Sequence, residues 1–395
     1  MSDWRTLTIG DVCQTISETY HGNDERVVLI NTSDVLEGKV LNHQSVENKD
    51  LRGQFKKTFR ENDILYSEIR PANKRYAFID FENTEGYIAS TKLMVLRSDA
   101  RVVLPKYLYA FLTSSAILAE MQHLAESRSG TFPQITFSSE LAPTPISVPD
   151  FETQGKIVRI IDIIDKKIET NKKINENLLQ QAQALYIHMF ADNESVTPAT
   201  IAEVALNVTD GVHNTVHDDP KGDFLLLSCK NIKGGFLSIG PTERRISKDT
   251  FEKLRRRTKL AKGDVLISSV GTVGELLMLN TEPTNYEFQR SVAIVKPNPE
   301  IVSAAYLYES LVFQRAELIN SAHGAVQQCL FISDIAGFPI NIPHPEDLQI
   351  FNGAVVPMFD AISANEAESR ALAEMRDLLL PQLMSGELDV SDLDL

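Results

Sequence analysis

GTFPQITFSSELAPTPISVPDFETQGKIVRIIDIIDKKIETNKKINENLLQQAQALYIHM, residues 130–189, lies without a gap on GAVQQCLFISDIAGFPINIPHPEDLQIFNGAVVPMFDAISANEAESRALAEMRDLLLPQL, residues 324–383, at a shift of 194 positions. Gly130 falls on Gly324, Gln134 on Gln328, Phe137 on Phe331 and Ser139 on Ser333; Pro145, Ile146 and Pro149 fall on Pro339, Ile340 and Pro343. Upstream the match continues with small insertions: ENDILYS (Glu61 to Ser67) resembles KGDVLIS (Lys262 to Ser268), and TIGDV (Thr8 to Val12) resembles TIAEV (Thr200 to Val204). A period this long means a duplicated domain, since solenoid repeats run to roughly 20–50 residues.

Each copy has two parts. The first reads as short strands and helices. DILYSEI and GYIASTKLMVL, with their counterparts DVLISSV and RSVAIVKP, are short apolar bursts bounded by Gly, Asn and Pro. A helical stretch follows, PKYLYAFLTSSAILAEMQHLAES in one copy and SAAYLYESLVFQRAELINSA in the other, and each part closes on an apolar strand before proline, ISVP and INIP. The second part is one long helix. Its apolar positions step by four and three through Ile157, Ile161, Ile164, Ile168, Asn171, Asn175, Leu178, Ala182, Leu185 and Met189, the seam of a coiled coil. The second copy steps through Phe351, Val355, Met358, Ile362, Asn365, Ser369, Leu372, Arg376, Leu379 and Leu383. Asparagines inside such a seam fix register and partner. Pro357 is expected to kink the second helix or to mark a late start near Gly353, and Pro381 to end it.

Bulk properties narrow the function. The 395 residues suit two domains with connecting elements, and 43% hydrophobic with 24% charged content is that of a globular protein. No stretch approaches the ~18 apolar residues of a membrane span, and MSDWRTLTIGDV lacks the apolar core of a secretory signal. Cys13, Cys229 and Cys329 are scattered and odd in number, which suits a reducing cytoplasm and neither a disulfide frame nor a zinc site. The net charge of −15 weighs against nucleic acid as a partner until its distribution is considered. Lys56, Lys57 and Arg60 cluster, as do Arg70, Lys74 and Arg75, and then Arg244, Arg245, Arg255, Arg256, Arg257 and Lys259. The acids gather elsewhere, notably in a tail with Glu387, Asp389, Asp392 and Asp394.

Catalytic signatures are absent. The chain has no GxxxxGK(S/T), no GxGxxG after a strand (GTVGE, Gly271 to Glu275, has the wrong spacing), and no HExxH, paired CxxC or GxSxG. It also lacks the Asp/Asn-Pro-Pro-aromatic motif of amino-methyltransferases. PDFETQGK (Pro149 to Lys156) superficially resembles a nuclease motif, but its acids are too close together and PHPEDLQI does not repeat it. His213 and His217 stand four apart in a Gly/Asn/Asp-rich loop, where surface or DNA-facing roles fit better than metal ligation.

Taken together, the GD(I/V)L(I/V)S-like strand, the paired domains, the heptad helices and above all RDLLLPQLMSGEL (Arg376 to Leu388) resemble the specificity (S) subunits of type I restriction-modification enzymes. The first copy departs from the pattern with Asn62 where Gly is usual and with ALYIHMF in place of LLLPQL. The resemblance implies an α+β chain with a pseudo-twofold tandem repeat: a target-recognition domain over 1–149, a central spacer helix over 150–193, a second recognition domain over 194–343, and a C-terminal spacer helix with acidic tail over 344–395. The two helices would pair as an antiparallel coiled coil. Roughly 35 helical residues span about 50 Å, equivalent to about 15 base pairs of duplex. The expected partners are double-stranded DNA, read as two half-sites, two modification (methyltransferase) subunits and the restriction/translocase subunits, with no membrane. S-adenosylmethionine, ATP and Mg²⁺ would sit on those partner subunits, and no cofactor or metal on this chain.

Base edges are read by Arg, Lys, Asn, Gln, Ser and Thr, and phosphates by Lys and Arg. The candidates in the first domain are Ser67, Arg70, Lys74, Arg75, Thr91, Lys92, Arg128, Ser129 and Gln134. In the second they are Ser268, Ser269, Thr272, Arg290, Ser291, His323, Gln327 and Gln328, with the Arg255 to Arg257 run assigned to phosphate or another subunit. Two other readings stand beside this one: a self-sufficient DNA methyltransferase or nuclease, and a coiled-coil adaptor that binds only proteins.

Overall fold

In the computed structural model the described residues are 4–49, 53–128, 132–193, 195–213, 215–240, 243–324 and 328–394. They form two compact units, one of residues 1–168 with 370–395, the other of residues 169–369. Each long helix therefore contributes one half to each unit.

In the first unit, β1 (Arg5–Thr8), β2 (Cys13–Ile16), β3 (Arg26–Ile30), β4 (Phe55–Lys57), β5 (Ile64–Ser67), β6 (Tyr76–Phe78), β7 (Tyr87–Ser90), β8 (Leu93–Ser98) and β9 (Pro145–Val148) are the principal strands. An antiparallel sheet has the order β2-β8-β5-β6, a second sheet pairs β3 parallel to β7, and β1 closes antiparallel on β9. The helices α1 (Pro105–Leu112) and α2 (Ser115–Arg128) cover the first sheet, and α3 (Phe151–Phe190) follows β9. The second unit repeats this order with β10 (Thr197–Thr200), β11 (Ala205–Asp210), β12 (Phe224–Leu227), β13 (Val265–Ser268), β14 (Leu276–Met278), β15 (Tyr286–Phe288), β16 (Val292–Pro297) and β17 (Pro339–Ile342). Its antiparallel sheet runs β11-β16-β13-β14, β12 is parallel to β15, and β10 closes on β17. The helices α4 (Lys248–Thr258), α5 (Ala304–Phe313), α6 (Arg315–Asn320) and α7 (Pro345–Ser385) complete it.

The shared sequence motifs now have physical meanings. In ENDILYS and KGDVLIS the aspartate caps the turn before the strand: Asp63 accepts the Arg60 N–H at 2.9 Å, and Asp264 that of Ala261 at 3.0 Å. The same carboxylates pair with a cation on the neighbouring strand, Arg97 at 2.7 Å and Lys296 at 2.5 Å. The residue before each is left-handed, Asn62 at φ 66° and Gly263 at φ 89°. Asparagine is one of the few side chains that enters that region readily, so the departure at 62 is tolerated. The YLY of α1 and α5 anchors the closing strand, with the Tyr107 hydroxyl donating to Ser147 O and that of Tyr306 to Asn341 O, each at 2.7 Å.

The helix seam is buried as spaced, unit by unit. In the first unit Ile157 and Ile161 share a core with Leu380, Leu383 and Met384. Ile164 is also buried and Ile168 half-buried. In the second unit Ala182, Tyr186 and Phe190 share a core with Phe351, Val355, Phe359 and Ile362, and Leu178, Leu185 and Met358 pack against it. Within each unit the two helix segments run antiparallel, since early residues of α3 meet late residues of α7 and the reverse. Toward its end the α3 stripe steps 182, 186, 190 rather than by four and three, following the aromatic core of the second unit. The second unit also holds a polar layer along these helices. Asn171 donates to Glu368 at 2.7 Å and Ser369 at 3.2 Å, and Asn365 donates to the Asn175 side-chain oxygen at 2.8 Å. Leu372 and Leu379 are half-buried, and Arg376 pairs with Asp165 at 2.8 Å.

Three expectations are corrected. The second helix starts at Pro345, not near Gly353, because proline at the first helical position followed by Glu346 and Asp347 is a good helix start. It also runs on through Pro357 and Pro381. Both prolines are exposed, as are the residues four before them, Gly353 and Asp377, so the carbonyls they deprive of a partner lie on the solvent side. Burial of Leu383 and Met384 carries the helix past Pro381 to Gly386, whose φ of 76° ends it. The ungapped match is locally out of step by one residue. Ile135 donates to Glu68 O at 2.9 Å and Leu330 to Ser269 O at 2.9 Å, an offset of 195, whereas after the next turn Thr144 and Phe338 accept from Ile9 and Ile201, an offset of 194. The extra residue of the first copy is absorbed in a π turn at Phe137–Leu141, where Ala142 N–H reaches Phe137 O at 2.7 Å; the second copy has an α-helical turn, Ile332–Ala336. Gln134 is thus structurally matched to Cys329, each bridging the strand extension at Ile69 or Val270.

One core position differs sharply between copies. Glu309 of α5 takes the place of Ala110 of α1, is 1% exposed, and its Oε1 has no partner among the described residues. Burial pushes its carboxyl from 4.5 up to about 8. Between those values the folded chain keeps a proton that the unfolded chain has released, so stability falls as pH rises through that window and is level above it. The unfolding free energy from urea titrations should decline from pH 5 to 8, by at most about 1.4 kcal/mol per pH unit, and Glu309→Gln should flatten the decline.

Candidate nucleic-acid interface

Three segments meet at one edge of each antiparallel sheet: the chain leaving β5 or β13, the turn entering β8 or β16, and the stretch before the π or α turn. Backbone bonds tie them. Glu68 N–H donates to Lys92 O at 3.1 Å and Ser269 N–H to Ser291 O at 2.9 Å, alongside the Ile135 and Leu330 bonds above. With β5 and β8 in register at Ser67 and Leu93, and β13 and β16 at Ser268 and Val292, position 91 corresponds to 290 and position 70 to 271.

Of the first-domain candidates, Arg70 is exposed and left-handed (φ 45°); its N–H reaches Pro133 O at 3.1 Å and its guanidinium has no partner among the described residues. Lys92 is exposed beside Glu68 at 3.7 Å. Thr91 is half-buried, its N–H on Gln54 O at 2.7 Å. Gln134 is half-buried beside Ile69, and Arg128 pairs with the buried Glu140 at 2.7 Å. Ser67 is buried with its hydroxyl donating to Ile69 O at 3.2 Å, Lys74 pairs with Glu37 at 3.1 Å, and Arg75 donates to Ser33 O at 3.0 Å. These last three hold turns. Ser129 lies outside the described residues, as do Gly130 and Gln327.

In the second unit Arg290 is exposed with no side-chain partner among the described residues, and Thr272 and Gln328 are exposed. Ser268 and Ser269 are buried: the Ser268 hydroxyl donates to Thr272 O and accepts from Glu275 N–H at 2.7 Å, and that of Ser269 donates to Arg290 O at 3.3 Å. The Ser291 hydroxyl accepts the Cys229 N–H at 3.1 Å. His323 stacks on Phe331 with ring centroids 5.6 Å apart and lies 3.4 Å from Asp334. Asp334 accepts the Phe331 N–H at 2.9 Å, as Glu140 accepts that of Thr136 at 2.7 Å, so the longer acid serves the wider turn. Phe132 and Phe331, 51% and 55% exposed, stand at these edges; sequence marks Phe331 only as a repeat match and Phe132 not at all. Their aromatic character alone reads as core.

Several basic residues prove to be internal. Arg255 pairs with the fully buried Glu287, donates to Tyr286 O at 2.9 Å and lies 4.9 Å over the Phe251 ring. Burial pushes the Glu287 carboxyl up against the pull of Arg255. The expectation that Arg255 serves an outside partner is therefore corrected: its charge is consumed within the fold. Arg244 pairs with Asp218. Lys57 donates to Leu93 O at 2.8 Å, and burial lowers its pKa. His213 pairs with Asp210 at 2.5 Å and His217 is exposed. Among the described residues no group of three or more His, Cys, Asp or Glu could hold a metal, and no helix is long and apolar enough to cross a membrane.

Comparison with known proteins places this architecture. The family model for the type I restriction modification DNA specificity domain matches residues 1–180. The HindI specificity subunit of Haemophilus influenzae, from a type I restriction enzyme, is 33% identical over 98% of this chain and 100% of its own length. The MjaIX specificity subunit of Methanocaldococcus jannaschii is 26% identical over 78% of this chain and 76% of its own. The crystal structure of the type I restriction-modification S subunit from M. genitalium shares the fold at a TM-score of 0.52, with 14% identity over 99% of this chain and 97% of that one. The chain belongs to the type I restriction-modification family, as a DNA specificity subunit.

The arginine run offers a direct check. Arg255→Met leaves the Glu287 charge buried and unpaired and should cost about 3–5 kcal/mol. Arg256→Met, at an exposed site, should stay within about 0.5 kcal/mol. Urea denaturation of the two variants measures both.

Proposed function

We propose that each unit is a target-recognition domain reading one half of a bipartite, asymmetric DNA sequence, and that the chain itself performs no chemistry. One observation carries this reading. The same hydrogen-bonded edge in both units presents an arginine whose side chain has no partner among the described residues, but from different segments: Arg70 where the second unit has Gly271, and Arg290 where the first has Thr91. A common frame with different side chains is what two unlike half-sites require. Lys92, Arg128 and Gln134 in the first unit, and Thr272, His323 and Gln328 in the second, complete the proposed surfaces. In this reading α3 and α7 form an antiparallel coiled coil that spaces the two readers about a pseudo-twofold axis. The polar layer supports it, because Asn171 with Ser369 and Asn365 with Asn175 are the same pair exchanged between helices. Two modification subunits dock on this scaffold and bring S-adenosylmethionine; the restriction subunits bring ATP and Mg²⁺, and the assembly works in the cytoplasm.

Methylome sequencing of cells carrying the partner subunits tests the assignment. Arg70→Gln should relax the recognised sequence in one half-site and Arg290→Gln in the other, each by about 1–3 kcal/mol of discrimination. Relaxation of the same half by both, or of neither, would refute it. Turnover of S-adenosylmethionine or DNA by the purified chain alone would favour the enzyme reading instead.

A further inference from the structure

The helix α4 has no use in the frame described so far. Where α4 fills the chain between Ile246 and β13 in the second unit, the first unit has β4 between Glu47 and β5. Its inner face is fixed firmly: Phe251 and Leu254 are buried with Val216, Leu226 and Ile246, the Phe251 ring stacks on Phe224 at 4.2 Å, and the Thr258 hydroxyl joins Arg255 on Glu287 at 3.0 Å. Its exposed residues are net basic, with Lys248, Lys253, Arg256, Arg257 and Lys259 against Asp249 and Glu252. Lys253 and Lys259 are exposed with no side-chain partner among the described residues, and Arg256 is 80% exposed with its nearest acid, Glu252, at 4.0 Å.

The end of this helix adjoins the reading edge. Arg257 donates to Asp210 O at 2.7 Å and to Gly211 O; Gly211 N–H reaches Val292 O at 3.0 Å, and Arg290 N–H reaches Val212 O at 3.1 Å. One strand extension therefore separates the exposed cations from Arg290. On a chain of net charge −15, a rigid basic face beside a reading edge matches the sugar-phosphate backbone flanking the bases being read.

We propose that α4 is a phosphate clamp of the second unit, with Lys253, Arg256 and Lys259 gripping the DNA backbone beside the half-site that Arg290 reads. The proposal rests on the reading of the units as target-recognition domains. Phosphate contacts add affinity and position the duplex without selecting sequence.

The test compares the chain, assembled with its modification subunits, with its Lys253→Gln/Arg256→Gln variant on cognate and unrelated duplexes across a salt series. Both side chains are exposed, so an unchanged thermal midpoint verifies folding, and Lys253→Glu/Arg256→Glu provides a stronger perturbation. The expected result is weaker binding to both duplexes by a similar factor, a log K against log salt slope less negative by about 1.8 for two lost phosphate contacts, and an unchanged methylation motif. An unchanged slope would overturn the clamp, and so would lost subunit assembly with unchanged DNA affinity, which would make α4 a protein-docking face. If the unaltered assembly shows no sequence preference, the recognition reading itself fails, separately from the clamp.

Discussion

Neither globular unit closes its core with residues from one copy alone. Ile157 and Ile161 at the start of α3 are covered by Leu380, Leu383 and Met384 at the end of α7, and Phe351 and Val355 at the start of α7 are covered by Ala182, Tyr186 and Phe190 at the end of α3. Full burial of such side chains is worth roughly 1.5–3 kcal/mol each, so this exchange is a large share of what holds either unit together. It explains why α7 tolerates two internal prolines: packing on one face outweighs lost hydrogen bonds on the other. It also explains why the seam leaves strict heptad spacing near Tyr186, where the helix must fit an aromatic core as well as a partner.

Much of this was legible in sequence because the copies check each other. The strands, the closing strand of each copy and both long helices follow from the repeat and from periodicity. The errors came from local rules that tertiary context overrides. The usual helix-breaking effect of proline yields to packing on the opposite face, and an ungapped alignment passes over one residue that the chain hides in a π turn, which leaves no mark in residue type. At the candidate site, polarity suggested Ser67, Ser268 and Ser269, yet hydroxyls that end buried strands serve the adjoining turn. Sequence spacing cannot tell a serine facing solvent from one folded under its own loop.

Charge shows the same limit. Arg255, Arg256 and Arg257 are consecutive, but on a helix they point in different directions: one is spent on buried Glu287, one stands in solvent, and one ties α4 to the backbone at Asp210 and Gly211. A basic run is therefore a poor measure of available positive charge. Among the described residues, cations without a side-chain partner include Arg70 and Arg290 at the hydrogen-bonded edges and Lys253 and Lys259 on α4, so net acidity does not by itself exclude a polyanionic partner.

The bonds that join the three segments at each edge run between backbone atoms: Glu68 to Lys92, Ile135 to Glu68, Ser269 to Ser291, Leu330 to Ser269. Side chains at 70, 91, 271 and 290 take no part in them. The edge therefore behaves as a socket whose fittings can be exchanged while its mounting stays intact. Under the proposed reading, stability and preference are uncoupled there, so a lineage of such chains can drift from one target to another through single substitutions without passing through an unfolded intermediate.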